Sequence, residues 1–219
     1  MSSTKEIVFS KAVIEFATVA KEYCSFIEGA TSFKRSQFIK ISHSLLPLLY
    51  YKATLIPQTE PIYEEGNQKH VTEEVYLALR ERLKFFLGEF DAFSEVFDPR
   101  ISETDEMFSA SIAEYLTDTY QDLKDFTMLY QNGRVEEMND ALWECHQNFK
   151  DYWGIRLANS IRAFHLLIYS NADFDSQKEV VTPDENTKID TENWIITQRQ
   201  RQMDNDELWF IPKQLAKKN

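Results

Sequence analysis

Glycine, proline and cysteine are scarce in this chain. Five glycines and six prolines in 219 residues leave too few tight turns for a β-sandwich or barrel. Two cysteines, Cys24 and Cys145, make neither a disulfide framework nor a zinc site. Each falls on an apolar helical face and reads as a small core residue in a reducing compartment, so a cytoplasmic location is expected. Long hydrophobic runs are also missing. Leu45–Tyr51 is among the longest, far short of the ~20 residues of a membrane span. Met1–Ser10 is too polar for a signal peptide. Bases are outnumbered, 24 Lys+Arg against 36 Asp+Glu, for a net charge of −12 and a pI near 4.8. Without a basic stripe, neither nucleic acid nor an anionic membrane is an expected partner. Familiar catalytic signatures are absent as well: no glycine-rich phosphate loop, GxSxG, HExxH or CxxC. None of His43, His70, His146 and His165 lies three residues after a glutamate, which removes the Glu-x-x-His mark of carboxylate di-iron bundles.

What is present is apolar periodicity. A hydrophobic content of 43%, with 14% aromatic, is enough to bury a core. Phe9, Val13, Phe16, Ala20, Tyr23, Cys24 and Ile27 recur at helical spacing, with Gly29 placed for a left-handed cap. Ser36 is a candidate N-cap for a second helix with Phe38, Ile41, Ser42, Leu45, Leu48 and Leu49 inward, which Pro47 should kink or split. A polar connector, Pro57–His70, leads to a third helix capped by Thr72. That helix has Val75, Tyr76, Leu79, Leu83, Phe86 and Leu87 inward and a solvated charged face that includes Arg82. Gly88–Pro99 reads as an irregular loop anchored by aromatics. A fourth helix is expected over Asp105–Gln131, closed by Asn132-Gly133. Its stripe is Phe108, Ile112, Tyr115, Thr119, Leu123, Phe126 and Tyr130. A fifth begins near Val135 and is interrupted at Gly154, where one helix changes partners or two helices meet. Its two apolar faces suggest a central position.

These elements predict a mainly α fold: a five- or six-helix up-and-down bundle over residues 1–170 with short connections. Residues 171–219 form a polar linker, to about Glu192, and an irregular C-terminal appendage. That appendage would dock through Trp194 and Trp209.

Acidity is concentrated between Glu89 and Asp125, where 11 acids face 2 bases. The plain reading is a solvated face that aids solubility. Within it, Glu114, Asp118, Asp122 and Asp125 step by four, four and three along one side of the fourth helix. Asp122 flanks the apolar stripe and Asp118 lies just beyond it, and a half-buried carboxylate there needs a cation, a donor or a metal. A second cluster, Trp143, Glu144, His146, Trp153, Arg156, Arg162 and His165, surrounds Gly154. Arg162 is placed to pair with Asp118 or Asp122, and His165 to carry a proton. The candidate polar cluster is therefore Asp118, Asp122, Glu144, Arg162 and His165, with Asp118, Asp122 and Glu144 as weak metal-ligand candidates.

Three segments, LGEFDAFSEVFDP (Leu87–Pro99), SIAEYLTDTYQDLK (Ser111–Lys124) and ALWECHQNFKDYWGIRLANSIRAFH (Ala141–His165), resemble a bacterial family known as domain of unknown function 5063. FATVAKEYCSFIE and LLPLLYYKA resemble it more weakly, and the similarity spans about Ala12 to Leu167. The family pattern falls here on Tyr120, Asp122, Leu123 and Lys124, then Trp143, Glu144, Trp153, Gly154, Arg162 and His165. Tyr152 stands where the family often has a histidine, and Tyr115 where it often has an acid. These departures count against a histidine-dependent or three-carboxylate metal site. The resemblance implies an all-helical cytoplasmic protein and no particular activity. It points to Tyr120, Trp143, Trp153 and Gly154 as packing or pocket residues.

The reading that follows is a non-catalytic interaction or scaffold protein whose aromatic and acidic face around Phe90, Phe93 and Phe97 docks a protein partner. No cofactor is required. The alternative is a small-ligand or divalent-cation binding protein, a hydrolase among the options, with an acidic site between the fourth and fifth helices. Oligomeric state is not specified.

Overall fold

A computed structural model describes residues 3–94 and 109–175. The chain divides into two units, Met1–Ser176 and Gln177–Asn219. The second, with Trp194 and Trp209, lies outside the described residues.

The first unit is mainly helical. Its segments are α1 (Thr4–Val8), α2 (Lys11–Glu28), α3 (Arg35–Thr54), α4 (Glu73–Leu87), α5 (Ile112–Gln131), α6 (Val135–Asn148) and α7 (Gly154–Ile168). The described strands, β1 (Ala92–Ser94) and β2 (Ser109–Ser111), pair antiparallel with Ala92 opposite Ser111.

Helix α5 lies at the centre, against α2, α4, α6 and α7. The sequence pointed to the fifth helix for this place. Five consecutive α5 residues, Leu116 to Tyr120, are buried. Two of them, Thr117 and Thr119, satisfy their hydroxyls on the carbonyls of Ala113 and Tyr115, four residues back. That local pairing lets a polar sequence occupy a buried helix. Phe16, Tyr23, Phe38, Leu46, Leu83, Phe126, Trp153 and Phe164 fill the surrounding core.

Several boundaries and faces differ from expectation. A capping box between Ser3 and Glu6 starts a separate α1, so Phe9 falls at a break and is exposed. Gly29 ends α2 at φ −89°, outside the left-handed region, and leads into a 3-10 turn, Ala30–Ser32. Lys34, not Ser36, is the N-cap of α3. Pro47 neither splits nor ends α3. It sits on the exposed side, where the carbonyl left by its missing donor can turn to water. The buried stripe of α3 is Phe38, Ile39, Ser42, Leu46, Leu49 and Ala53. Ile41 and Leu48 face out, 38% and 44% exposed. Thr72 caps α4 as expected, accepting from the Val75 amide. Arg82 is not on a wet face: its guanidinium donates to the Glu28 carbonyl, and burial lowers its pKa.

Helix α5 starts at Ile112 instead of near Asp105, because the hairpin and Asp91 set its entry. The Asp91 carboxylate accepts from the Ala113 amide and the Ser111 hydroxyl, and its carbonyl accepts from the Ile112 amide. Phe97 and Phe108 lie outside the described residues. The connection from α3 to α4 is long and irregular, not short.

Between α6 and α7 the chain makes a π-helical turn, Phe149–Trp153, and the Gly154 amide donates to the Phe149 carbonyl. A Cβ on Gly154 would collide with that carbonyl and stand 3.0 Å from the Phe149 ring. Gly154 is therefore fixed by close packing. Replacing it with alanine is expected to cost about 2 kcal/mol through overpacking. Urea unfolding should show the loss while far-ultraviolet dichroism of the folded state is unchanged.

Candidate functional site

The acids of α5 leave the helix on one side but reach different neighbours. Asp118 is buried. It accepts from Arg156 Nε on α7 at 2.5 Å and from the Tyr76 hydroxyl on α4 at 2.7 Å. The Arg156 guanidinium also lies over the Tyr152 ring at 4.0 Å and the Tyr115 ring at 5.2 Å. Burial works to lower the pKa of Arg156, but the hydrogen bond and charge of Asp118 outweigh it and raise the value. Burial raises Tyr76, and its bond to Asp118 adds to the effect. Arginine with stacked aromatic faces is well suited to such a half-buried pair.

Asp122 accepts from Asn148 Nδ2 at 2.5 Å. Burial pushes its carboxyl up to about 6, against the Asn148 hydrogen bond and the Lys69 charge. Asp125 accepts from the His70 and Val71 amides at 2.7 and 3.0 Å. Glu144 takes Lys69 Nζ at 2.6 Å and Asn67 Nδ2 at 2.8 Å. Burial opposes the Lys69 charge, but Glu144 outweighs it and holds the ammonium above its ordinary value. Asp140 accepts from the Ile62 and Tyr63 amides, each at 2.8 Å, and Asn139 donates to the Glu60 carbonyl at 2.7 Å. Acids of α5 and α6 thus fasten the α3–α4 connector along its length.

The structure does not bring the five candidate polar residues together. Asp122 and Glu144 line one small cavity with Lys69, Asp125 and Asn148. Asp118 is held in the separate group with Arg156. Arg162 pairs with neither Asp118 nor Asp122, and donates instead to the Ser94 carbonyl at 3.2 Å. His165 is exposed and stands beside His43 on α3. Of the packing residues, Trp153 is fully buried and donates to the Cys145 carbonyl at 3.1 Å. Tyr120 donates to Glu28 Oε1 at 2.6 Å, where Lys124 also binds at 2.9 Å. Trp143 is half-buried. Cys24 and Cys145 are free, buried thiols, and burial raises both pKa values, which leaves them unreactive.

Among the described residues, no three His, Cys, Asp or Glu side chains are grouped to hold a metal ion. The cavity at Asp122 and Glu144 measures about 10 Å³, room for roughly one water molecule. Phe90 and Phe93, two of the three residues of the expected aromatic face, are half-buried and make internal ring contacts. Phe90 meets Phe174 at 5.1 Å and Arg35 at 5.7 Å, and Phe93 meets Tyr115 at 5.5 Å.

A wider opening lies elsewhere. A groove of about 850 Å³ runs between α2 and α3. Phe26, Phe33, Ile41, Leu45 and Leu48 supply its apolar lining, and Glu22 and Lys40 are its charged residues.

Residues 7–170 match the model of Domain of unknown function (DUF5063). Among solved structures, the crystal structure of protein BF1032 from Bacteroides fragilis is similar, with 43% sequence identity and a TM-score of 0.67. That similarity covers 76% of this chain and 98% of that one. No curated protein matches the sequence.

Asp122 generates a pH test. Its folded value of about 6 lies above the ordinary 3.8, so the folded state holds this proton more tightly. The contribution to stability is fully present below about pH 4 and is lost as pH rises through about 6. Asp122→Asn keeps an acceptor for Asn148 and removes the charge. It is expected to stabilise the protein by about 2 kcal/mol at pH 7.5 and by almost nothing at pH 4. Urea midpoints at the two pH values measure this directly.

Proposed function

The chain belongs to the DUF5063 family, a domain of unknown function, and from that premise we propose that it is a non-catalytic protein-interaction module. Its receptor surface is the α2–α3 groove, and its occupant is an amphipathic helix of a partner protein. The observation that carries this reading is the exposed apolar pair Ile41 and Leu48, with half-buried Leu45 between them, beside Phe26 and Phe33. Ile41 and Leu48 are seven residues apart on α3, about two turns or ~10 Å of helix. A cleft floored by two helices accepts apolar anchors at i, i+3 or i+4, and i+7 of a third. The net charge of −12 favours a partner helix whose outer face is basic, since long-range attraction speeds its encounter.

The rival reading, a ligand or cation site between α5 and α6, draws less support. Its carboxylates are already paired with Lys69, Asn67 and Asn148. Asp118 is engaged by Arg156, and the adjoining cavity has no room for a substrate.

A photo-crosslinking amino acid at position 48, with peptides identified after irradiation in cells, tests the proposal. The expected product is one amphipathic, basic segment of another protein. Ile41→Glu should abolish it while leaving the melting temperature within about 2 °C, as for an exposed site. Crosslinks that persist in Ile41→Glu, or that reach only further copies of this chain, would overturn the reading.

A further inference from the structure

His43 and His165 come from different helices, α3 and α7, and meet outside the groove. His43 Nε2 and His165 Nδ1 are 3.5 Å apart, with ring centroids at 5.6 Å. That separation is long for a good hydrogen bond between nitrogens. It matches another arrangement closely. Two imidazole nitrogens at ~2.0–2.1 Å from one tetrahedral zinc ion stand roughly 3.3–3.4 Å apart. Tyr169 closes one side, its ring 4.7 Å from His165 and 6.0 Å from His43. His165 is exposed and His43 half-buried, so the remaining coordination positions open to solvent.

The geometry points to a two-histidine site, His43 Nε2 and His165 Nδ1, for a borderline transition-metal ion such as Zn²⁺, Ni²⁺ or Cu²⁺. Neutral imidazole suits these ions, and Mg²⁺ prefers oxygen. The protein supplies two ligands, and water or a ligand from another molecule completes the shell. Because α3 and α7 pack together through the Phe38–Phe164 contact, an ion held between them ties two helices of the core at their outer edge. The pair is not equalled elsewhere among the described residues. His70 is held through its backbone amide by Asp125, and His146 lies on α6 with burial lowering its pKa.

The test uses the full chain without a polyhistidine tag. Zn²⁺ at ~100 times its Kd should raise the melting temperature by about 5–10 °C. Mg²⁺ should leave it unchanged. His43→Ala and His165→Ala, both at accessible positions, should each weaken Zn²⁺ binding at least tenfold by calorimetric titration. Electron paramagnetic resonance of the Cu²⁺ complex should show two imidazole nitrogens in the native chain and one in either variant. No calorimetric binding of Zn²⁺, Ni²⁺ or Cu²⁺, affinity unchanged by both substitutions, or Cu²⁺ spectra with fewer than two imidazole nitrogens would overturn the assignment.

Discussion

A central helix with most of its surface packed must find partners for each acid it turns inward, and this requirement organises the whole unit. Helix α5 carries Asp118, Asp122 and Asp125 into the interior. An unpaired buried carboxylate is costly. Asp118 resolves this by drawing α4 and α7 together through Tyr76 and Arg156. Asp122 uses Asn148 of α6, and Asp125 uses the amides of the connector. Glu28 of α2 completes the set from the other side, meeting Tyr120 and Lys124 of α5. The acids that make the chain look like a candidate metal protein are in large part the fastenings of its helices.

Much of the helical layout is legible in the sequence, because helices of this length announce themselves by a 3.6-residue period. Thr72, the Asn132-Gly133 stop and the two buried thiols follow from that pattern and from capping chemistry. The side of α3 that faces the core was not legible. Its residues offer two stripes, Phe38/Ser42/Leu46/Leu49 and Ile41/Leu45/Leu48, and only tertiary packing chooses between them. The start of α5 was hidden for a different reason: Asp91 and a short hairpin define it, and both act across chain separations of about twenty residues.

The candidate site shows the same division. That a carboxylate at the edge of the apolar stripe, Asp122 or Asp118, needs a cation, a donor or a metal followed from its position. The identity of that partner did not, because Arg156 and Arg162 lie on the same helix and only tertiary packing selects between them. They stand six residues apart, ~240° round the helix, so that Arg156 meets Asp118 while Arg162 turns to Ser94. Lys69, Asn67 and the connector amides carry no periodic signal at all. Their partnership with Glu144, Asp125 and Asp140 emerges only when the chain is folded.

The connector has a consequence for how related sequences can diverge. Asp125 and Asp140 grip it at residues 62, 63 and 70 through backbone N–H groups, which every amino acid but one possesses. The side chains of Ile62 and Tyr63 are exposed and take no part in the grip. Evolution is therefore free to rewrite those letters, and the surface chemistry of the segment with them, as long as proline stays out. A change there would alter the clothing over an unchanged attachment, whereas replacing either aspartate by a residue with no side-chain acceptor would release the segment.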